Sequence, residues 1–353
     1  MRQWAGVIRL GGIGDNLIVS AALPGLKKKY GMVEVICRKP FDVVFENNPF
    51  VDKLTAWDKD EKLPQGEGWE AWFKHRSKEY AFFQNLSQSV ECQLALTRAQ
   101  SWYWRSDEWR RKFCGKSYLE EVADICGVPY SGLRCGFYPT EEEVFEATAT
   151  LEKEGVGQHF VAWVISGSRY DKIYPFASIA IHRLIRELGM PVVLLGAPNN
   201  DIDIVGMIEA HLKMQGGSHG LDHLHTGISR SWTEENWPIR RVLTMVQCAA
   251  LVISPDTGPA WAVAFEDMPK IVMLSHASPE NITKHWVNTV SLHADPRRVP
   301  CWPCHKLIDG PEYCVPNEWN SGASCISDIS PDTVLYAAHE AMRPKPLMLE
   351  AAE

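Results

Sequence analysis

A glycine-rich segment near the start of the chain ends in a carboxylate that could act as a base. It reads Arg9-Leu-Gly-Gly-Ile-Gly-Asp15-Asn-Leu17, and it is expected to close a strand and open a helix. Glycines such as Gly12 and Gly14 let the backbone approach a ligand, and amides at a helix N-terminus favour an anion. Asp15 either stabilises the helix dipole by about 0.5 kcal/mol or takes a proton from a hydroxyl group. The segment lacks the third glycine of the dinucleotide fingerprint, which disfavours a Rossmann dehydrogenase.

A second segment could hold a departing diphosphate. Ser254-Pro-Asp-Thr-Gly-Pro259 follows an apolar run and precedes a predicted helix, in which Pro259 suits the first turn. Asp256 or Thr257 can cap that helix, and the backbone amides beyond Thr257 and Gly258 can bind phosphate. The segment therefore predicts a site for an anionic leaving group.

A third segment, Ser166-Gly-Ser-Arg-Tyr-Asp-Lys172, directly follows another predicted strand. Ser166, Ser168 and Lys172 supply hydroxyl groups and a cation, which can neutralise a nucleotide diphosphate as it departs. Each of these two segments is a weak signal alone. Because both follow parallel strands of one lobe, they reinforce each other.

Four of the ten cysteines follow a C-x2-C-x9-C-x10-C pattern: Cys301, Cys304, Cys314 and Cys325. Two cysteines with two residues between them can grip one tetrahedral ion, and two more complete a closed four-sulfur site. The alternative is free thiols in a C-terminal loop, since disulfides are rare in cytoplasmic proteins. We expect structural iron or zinc with no catalytic role, because a closed shell has no open position.

Alternating strands and helices must position these segments. We predict strands over 5–10, 32–37, 80–85, 160–165, 191–195, 250–254 and 270–274, and helices over 15–29, 175–188, 202–214, 239–249 and 259–265. This alternation predicts an α/β fold with two doubly wound, Rossmann-like lobes and a ligand cleft between them. The predicted domains are 1–150 and 151–343, the second with the cysteine segment at 301–325, followed by a tail at 344–353.

Composition narrows the class of protein. The 353 residues carry a net charge of −8, and 45% of them are hydrophobic, which is typical of a globular protein. No apolar run approaches the ~20 residues of a membrane span. The N-terminus lacks the apolar region of a signal peptide, so we expect a cytoplasmic protein. The negative net charge does not favour binding to nucleic acid, which usually requires a basic surface. One basic cluster is expected to be a solvated helix face, with contact to an anionic acceptor as the alternative: Arg105, Arg110, Arg111, Lys112 and Lys116.

Taken in order, the motifs resemble those of glycosyltransferase family 9, the ADP-heptose heptosyltransferases. The resemblance runs from about residue 7 to residue 279 and rests on residues 9–24, Lys172-Ile-Tyr-Pro175, Leu194-Leu-Gly-Ala-Pro198 and Ser254-Pro-Asp-Thr-Gly-Pro-Ala260. It implies a GT-B fold, with the acceptor on the N-terminal side and the nucleotide sugar held mainly by the C-terminal lobe. It also implies an inverting transfer without a catalytic metal. The cysteine segment is similar to the finger of the family branch that glycosylates autotransporter proteins, where it holds iron and supports assembly.

By this resemblance, Asp15 is the catalytic base, Lys172 contacts the donor phosphate or sugar, and Asp256 lies near the sugar. Thr257 and Gly258 bind the diphosphate. Together with the segments above, the predicted donor-binding residues are Gly12, Gly14, Ser166, Ser168, Lys172, Asp256, Thr257 and Gly258. Heptosyltransferases often have a histidine three residues beyond the glycine. This chain has Trp261 there, which leaves the donor sugar open.

Residues and resemblance together predict a metal-independent glycosyltransferase that moves a sugar, with heptose as one candidate, from a nucleotide diphosphate to a hydroxyl acceptor. The candidate acceptors are lipopolysaccharide core, a protein Ser or Thr, and a modified nucleobase. Two alternatives stay open. One is a nucleotide-sugar epimerase or hydrolase of the same architecture, and the other is a catalytically silent binding or assembly protein. The sequence is compatible with a homo-oligomer.

Overall fold

The computed structural model describes residues 3–58, 66–87, 89–167, 169–196, 198–216, 222–226, 237–308 and 310–343. These residues form two parallel sheets, one in each half of the chain, with helices packed around them. We call each sheet with its helices the first and the second lobe. The predicted α/β fold with two lobes is confirmed. Within these ranges, each helix is too short or too polar to cross a lipid bilayer.

The first sheet has four strands: β1 Gln3–Arg9, β2 Gly31–Arg38, β3 Lys53–Trp57 and β4 Phe82–Asn85. Their order is β3-β2-β1-β4, and all pairs are parallel. Strands β2 and β3 follow β1 on one side of it, and β4 pairs with β1 on the other side. The strand order therefore reverses between β1 and β4, which makes this a topological switch point. Ligands of doubly wound sheets bind beside such points, at the carboxyl ends of the strands. The glycine-rich segment follows β1 at this place.

The second sheet has six strands: β5 Val161–Val164, β6 Val192–Leu195, β7 Leu224–Thr226, β8 Leu251–Pro255, β9 Lys270–Met273 and β10 Thr289–Leu292. The order β10-β9-β8-β5-β6-β7 puts its switch point between β5 and β8. Every residue of β5, β6, β8 and β9 is buried, as in a parallel sheet covered on both faces. Lys172 lies beyond β5 and Asp256 directly follows β8, so both flank this switch point.

Helices cover both sheets. In chain order they are α1 Ile13–Ser20, α2 Leu23–Tyr30, α3 Glu67–Arg76, α4 Asp107–Phe113, α5 Tyr118–Cys126, α6 Glu141–Lys153, α7 Ala177–Leu188, α8 Pro198–Gly216, α9 Ile239–Gln247, α10 Gly258–Ala262, α11 Pro279–Ile282, α12 Ser324–Ser327 and α13 Pro331–Met342. The domain boundary predicted at residue 150 falls inside α6. Ala147 and Leu151 of this helix pack with Phe160 and Ala162 of the second lobe.

The single helix predicted over 15–29 is wrong, because the structure has two helices there, α1 and α2, joined at Ala21 and Ala22. Pro24 lies in the first turn of α2. A proline has no amide hydrogen and its ring clashes with the carbonyl four residues earlier, so a continuous helix cannot run through it undisturbed. The prediction also missed the strands β3, β7 and β10 and several helices, among them α3, α5 and α13. No residue of β3 is fully buried, which leaves its apolar pattern weak.

The basic cluster is not a solvated face throughout, which corrects the expectation from the sequence. Arg110 is 2% exposed, and its guanidinium donates to the carbonyl of Cys304 at 2.7 Å and to that of Tyr103 at 3.2 Å. Arg111 donates to the carbonyl of Pro300. These arginines therefore tie α4 to the segment that carries the four cysteines.

The two lobes touch at a pair of glycines, one at the start of α1 and one at the start of α10. A Cβ atom built on Gly14 would lie 3.5 Å from the Cα of Gly258. A Cβ atom built on Gly258 would lie 2.7 Å from Cγ2 of Ile13 and 3.3 Å from the Gly14 nitrogen. Position 258 therefore has no room for a side chain without a shift of the neighbouring lobe.

We expect Gly258→Ala to lower the free energy of unfolding by about 1–3 kcal/mol, the usual effect of overpacking. The matched control is Gly206→Ala in α8, where a new methyl group meets no atom within 4 Å. Because alanine favours a helix over glycine, the control is expected to raise the free energy of unfolding by about 1 kcal/mol. Urea denaturation measures both. Equal changes for the two variants would contradict the close contact between the lobes.

Candidate active site

A cavity of about 540 Å³ lies where the carboxyl ends of the two sheets meet. Segments beside both switch points line it, so it draws residues from the two lobes. The predicted site residues that line it are Gly12, Gly14, Asp15, Ser166, Lys172, Asp256, Thr257 and Gly258. Ser168 lies outside the described residues. The structure thus brings the three separate sequence segments to one cavity.

Asp15 lies in the first turn of α1, and both of its carboxylate oxygens have partners. Oδ2 accepts the amide hydrogen of Gly12 at 2.7 Å, and Oδ1 lies 2.8 Å from the Arg9 guanidinium. The Asp15 side chain is still 32% exposed, whereas Arg9 is 2% exposed. The carboxylate is therefore fixed in position and remains accessible to a molecule in the cavity.

Glu91 is a second carboxylate on this wall, which the sequence analysis did not predict. Nη2 of Arg9 donates to both Glu91 oxygens, at 2.8 and 2.9 Å, and Nη1 donates to the Leu86 carbonyl at 2.9 Å. Burial lowers the pKa of Arg9, but the charges of Asp15 and Glu91 outweigh it, so that the net effect is a raised pKa. One buried cation thus orients carboxylates from both sides of the first switch point. The sequence feature that could have identified Glu91 is its position a few residues after the end of β4.

On the second-lobe wall, Lys172, Asp256 and Trp261 form a connected group. The Lys172 ammonium donates to the main-chain carbonyl of Asp256 and lies 3.3 Å from its carboxylate. The other carboxylate oxygen accepts the Trp261 indole hydrogen at 2.9 Å. The Lys172 and Asp256 side chains are 14% and 8% exposed. Trp261 therefore holds Asp256 in place, a contact that the sequence analysis did not foresee.

His276 is a further cavity residue that sequence reasoning missed. Its Nδ1 lies 3.0 Å from Oδ2 of Asp171, which also accepts the Ser275 hydroxyl at 2.6 Å. Burial raises the pKa of Asp171, but the hydrogen bond and charge of His276 and the charge of Lys172 outweigh it, so the pKa is lowered. An ionised Asp171 therefore fixes the imidazole at the cavity wall. The signal in the sequence was the position of His276 just after β9.

The four cysteines of the predicted metal site all have raised pKa values. Burial is the main cause that raises the pKa of Cys304 to about 12 and that of Cys314 to about 11, and the charge of neighbouring cysteines contributes. Burial, with the other three cysteines and Asp171 as smaller causes, raises the pKa of Cys325 well above its usual value. All ten cysteines are free. Four thiols are the kind of ligand that a four-sulfur metal site uses. In the described part of the chain, however, no three His, Cys, Asp or Glu side chains are arranged to hold a metal ion.

The cysteine segment is hydrogen-bonded to both lobes beside the cavity. The amide of His305 donates to the His276 carbonyl at 2.8 Å, and the amide of Leu96 donates to the His305 carbonyl at 2.8 Å. The amide of Leu307 donates back to Leu96 at 2.9 Å. The segment therefore supports the loop that carries His276.

No protein-family model matches the sequence, and no curated protein matches it. Solved structures share its architecture. A glycosyl transferase family 9 protein from Veillonella parvula DSM 2008 is 15% identical, with a TM-score of 0.65 over 96% of this chain and 97% of that chain. The ADP-heptose LPS heptosyltransferase II of E. coli is 12% identical, with a TM-score of 0.62 over 96% and 98%. The iron-containing dodecameric glycosyltransferase TibC from enterotoxigenic E. coli H10407 is 11% identical, with a TM-score of 0.53 over 97% and 77%. The chain therefore has the two-lobed GT-B fold of these transferases, as the motifs predicted.

Proposed function

We propose that this protein is an inverting glycosyltransferase that moves a sugar from a nucleotide-diphosphate donor to a hydroxyl group. One observation carries the proposal. A single cavity holds the fixed carboxylate of Asp15 from the first lobe and the cation of Lys172 from the second. A base and a group that neutralises the leaving diphosphate are what a direct displacement at a sugar carbon requires. The fold shared with glycosyltransferase structures supports this class of activity.

In the proposed reaction, Asp15 takes the proton of the acceptor hydroxyl group. Arg9 and the Gly12 amide hold the Asp15 carboxylate, so it needs little reorganisation before it acts. The acceptor oxygen bonds to the anomeric carbon on the face opposite the departing phosphate, which inverts the configuration. Proton removal by a positioned base typically contributes about 10²–10⁴ in rate. We assign the acceptor to the N-terminal domain over 1–150.

We assign the donor to the C-terminal domain over 151–343. Lys172, Ser166 and the backbone amides at Thr257 and Gly258 would bind the diphosphate and stabilise the charge that develops as the carbon–oxygen bond breaks. A fixed donor of this kind is typically worth about 10²–10³ in rate. Asp256 would accept hydrogen bonds from the sugar. The glycines of the first lobe, Gly12 and Gly14, would let its backbone contact the same ligand.

For the donor, ADP-heptose is the first compound to test, because E. coli heptosyltransferase II is described as acting with it. Lipopolysaccharide core, a protein Ser or Thr, and a modified nucleobase remain the acceptor candidates. We propose that the protein acts in the cytoplasm. We also propose a homo-oligomer, since TibC is described as dodecameric.

A thermal-shift panel of ADP, UDP and GDP sugars on the full chain tests this function, followed by a transfer assay with the best donor. A ligand at 100 times its Kd stabilises the folded state by about 2.7 kcal/mol, so one nucleotide class is expected to raise the melting temperature clearly. Release of sugar without an acceptor would favour the hydrolase or epimerase alternative. Binding without turnover on any acceptor would favour the binding protein. No shift with any nucleotide sugar would contradict the proposal.

We further propose that Cys301, Cys304, Cys314 and Cys325 hold a structural iron or zinc ion. The four free thiols fall within 25 residues of one segment. A bound cation would deprotonate the thiols against the effect of burial. TibC is described as iron-containing, which supports iron as one candidate. The ion would tie down the cysteine segment and take no part in the transfer.

Metal analysis of protein purified without added ions is expected to give an iron-plus-zinc sum of about one ion per chain. Cys325→Ser removes one ligand and is expected to lower both the metal content and the melting temperature. The matched control is Cys126→Ser, which changes a buried free thiol outside the cysteine segment. This variant should keep the metal content of the parent protein. A clearly substoichiometric sum in the folded parent protein would reject the site.

A further inference from the structure

The first-lobe wall of the cavity holds a buried hydroxyl group, that of Tyr118. Tyr118 begins α5 and is 4% exposed. Its ring belongs to an apolar cluster shared by the two lobes, and the residue lines the cavity. Within the described part of the chain, its hydroxyl makes no hydrogen bond, and it is the one such buried side-chain atom on a cavity-lining residue. Buried polar groups are nearly always paired, so this hydroxyl points to a ligand.

The charged groups around this hydroxyl are already engaged within the protein. Asp256 is held by Lys172 and Trp261, and Glu91 is held by Arg9. Burial, followed by the charges of Asp256 and Glu91, raises the pKa of Tyr118 well above its usual value. The phenol therefore stays protonated and can donate one hydrogen bond and accept others.

The chemistry of the phenol selects the kind of ligand. Because it is neutral, it offers a phosphate one hydrogen bond and no opposite charge. A hydroxyl group, in contrast, can use the donor and the acceptor capacity of the phenol at once. The Tyr118 hydroxyl thus fits the polyol part of a ligand better than its diphosphate.

We propose that the Tyr118 hydroxyl recognises a sugar hydroxyl group in the cavity and thereby selects the ligand. This inference rests on the proposed transfer function, and it adds a specificity-determining residue from the first lobe. The shared chemistry is a hydroxyl group, which the transferred sugar or the acceptor can supply. Ligand affinities and the acceptor KM of one variant separate these two sources.

Tyr118→Phe removes only the oxygen atom. Calorimetric titration of the full chain compares the Kd of a nucleotide sugar with the Kd of its nucleoside diphosphate, using the nucleotide that gives the largest thermal shift. In the variant, we expect the nucleotide sugar to bind about tenfold more weakly, the effect of one lost hydrogen bond. The nucleoside diphosphate should bind as before. If instead both affinities hold and the KM of the acceptor rises about tenfold, the recognised hydroxyl belongs to the acceptor.

The matched control is Tyr174→Phe, in the core of the second lobe. The Tyr174 hydroxyl donates to the Ile329 carbonyl at 3.0 Å, so this variant is expected to lower the melting temperature and leave sugar affinity unchanged. Tyr118→Phe should show the opposite pattern, because its oxygen has no partner among the described residues to lose in the free protein. A merely structural role for Tyr118 would not produce this crossed result.

Two failures can be told apart. A parent protein that binds and transfers sugar, with a Tyr118→Phe variant unchanged in sugar affinity and acceptor KM, overturns the Tyr118 inference alone. A parent protein that binds none of the nucleotide sugars overturns the proposed function and this inference together.

Discussion

Replacing Asp15 with asparagine is expected to slow sugar transfer by about 10²–10⁴, because the amide cannot take the proton of the acceptor hydroxyl. Nucleotide affinity should stay within about twofold, since the proposed phosphate contacts come mainly from the second lobe. Calorimetry measures the affinity, and initial rates at saturating donor measure the transfer. The asparagine oxygen can still accept the Gly12 amide hydrogen, so the glycine-rich segment should keep its conformation.

Glu91→Gln is the informative companion to this variant. Both carboxylates share Arg9 and line the same cavity, so each substitution removes one negative charge from the same cation. We expect Glu91→Gln to slow transfer far less than Asp15→Asn. An Asp15→Asn protein that transfers sugar at the parent rate would show that Asp15 is not the base. If Glu91→Gln then abolished transfer, the base would be Glu91.

The second large effect is expected for Lys172→Met. The methionine keeps the apolar stem of the side chain but removes the cation, which leaves the Asp256 carboxylate without its charged partner beside the diphosphate position. We expect a fall of about 10²–10³ in turnover, the usual effect of removing one group that stabilises developing charge. In contrast to Asp15→Asn, this variant should also bind the nucleoside diphosphate more weakly, which calorimetry measures.

Two further variants separate the causes of this loss. The double variant Lys172→Met/Asp256→Asn removes the unpaired negative charge and is expected to regain part of the nucleotide affinity. Lys27→Met is the matched control, since Lys27 pairs with Asp52 away from the cavity and is 30% exposed. Such an exposed pair contributes about 0–1 kcal/mol to stability, and transfer should be unchanged. Full nucleotide affinity in Lys172→Met would contradict the proposed role of the lysine.

The parts of the site that could be predicted from the sequence are those with a local backbone requirement. Gly12, Gly14 and Gly258 lie where a strand gives way to a helix and the backbone must approach closely, and that requirement leaves a short pattern in the chain. The fold class could be predicted for a similar reason, because alternating strands and helices indicate parallel units. These features need no knowledge of which strands are neighbours.

The unpredicted residues depend on strand order. Glu91 reaches Arg9 only because β4 pairs with β1 rather than with β3. His276 reaches Asp171 only because β9 and β5 both flank β8. No local sequence pattern specifies which strands are neighbours in the sheet. A carboxylate or histidine shortly after a strand is therefore a useful candidate, but its partner becomes known only with the sheet order.

The cysteines show the same limit in another form. Their spacing predicts that four thiols gather around one ion, but among the described residues no three His, Cys, Asp or Glu side chains are arranged to hold one. Spacing does not specify how the loops between Cys304, Cys314 and Cys325 turn, so the arrangement of the sulfur atoms could not be predicted. The buried Arg110 was missed for a related reason, since its carbonyl partner Cys304 is 194 residues away in the chain.

The most direct test of the central claim is a crystal structure of the protein with the nucleoside diphosphate that gives the largest thermal shift. We predict that the diphosphate lies in the cavity between the lobes, within hydrogen-bond distance of the Lys172 ammonium and of backbone amides at Thr257 or Gly258, on the opposite side from Asp15. A nucleotide bound outside this cavity, or bound in it with its phosphates against Asp15 and Glu91, would contradict the account.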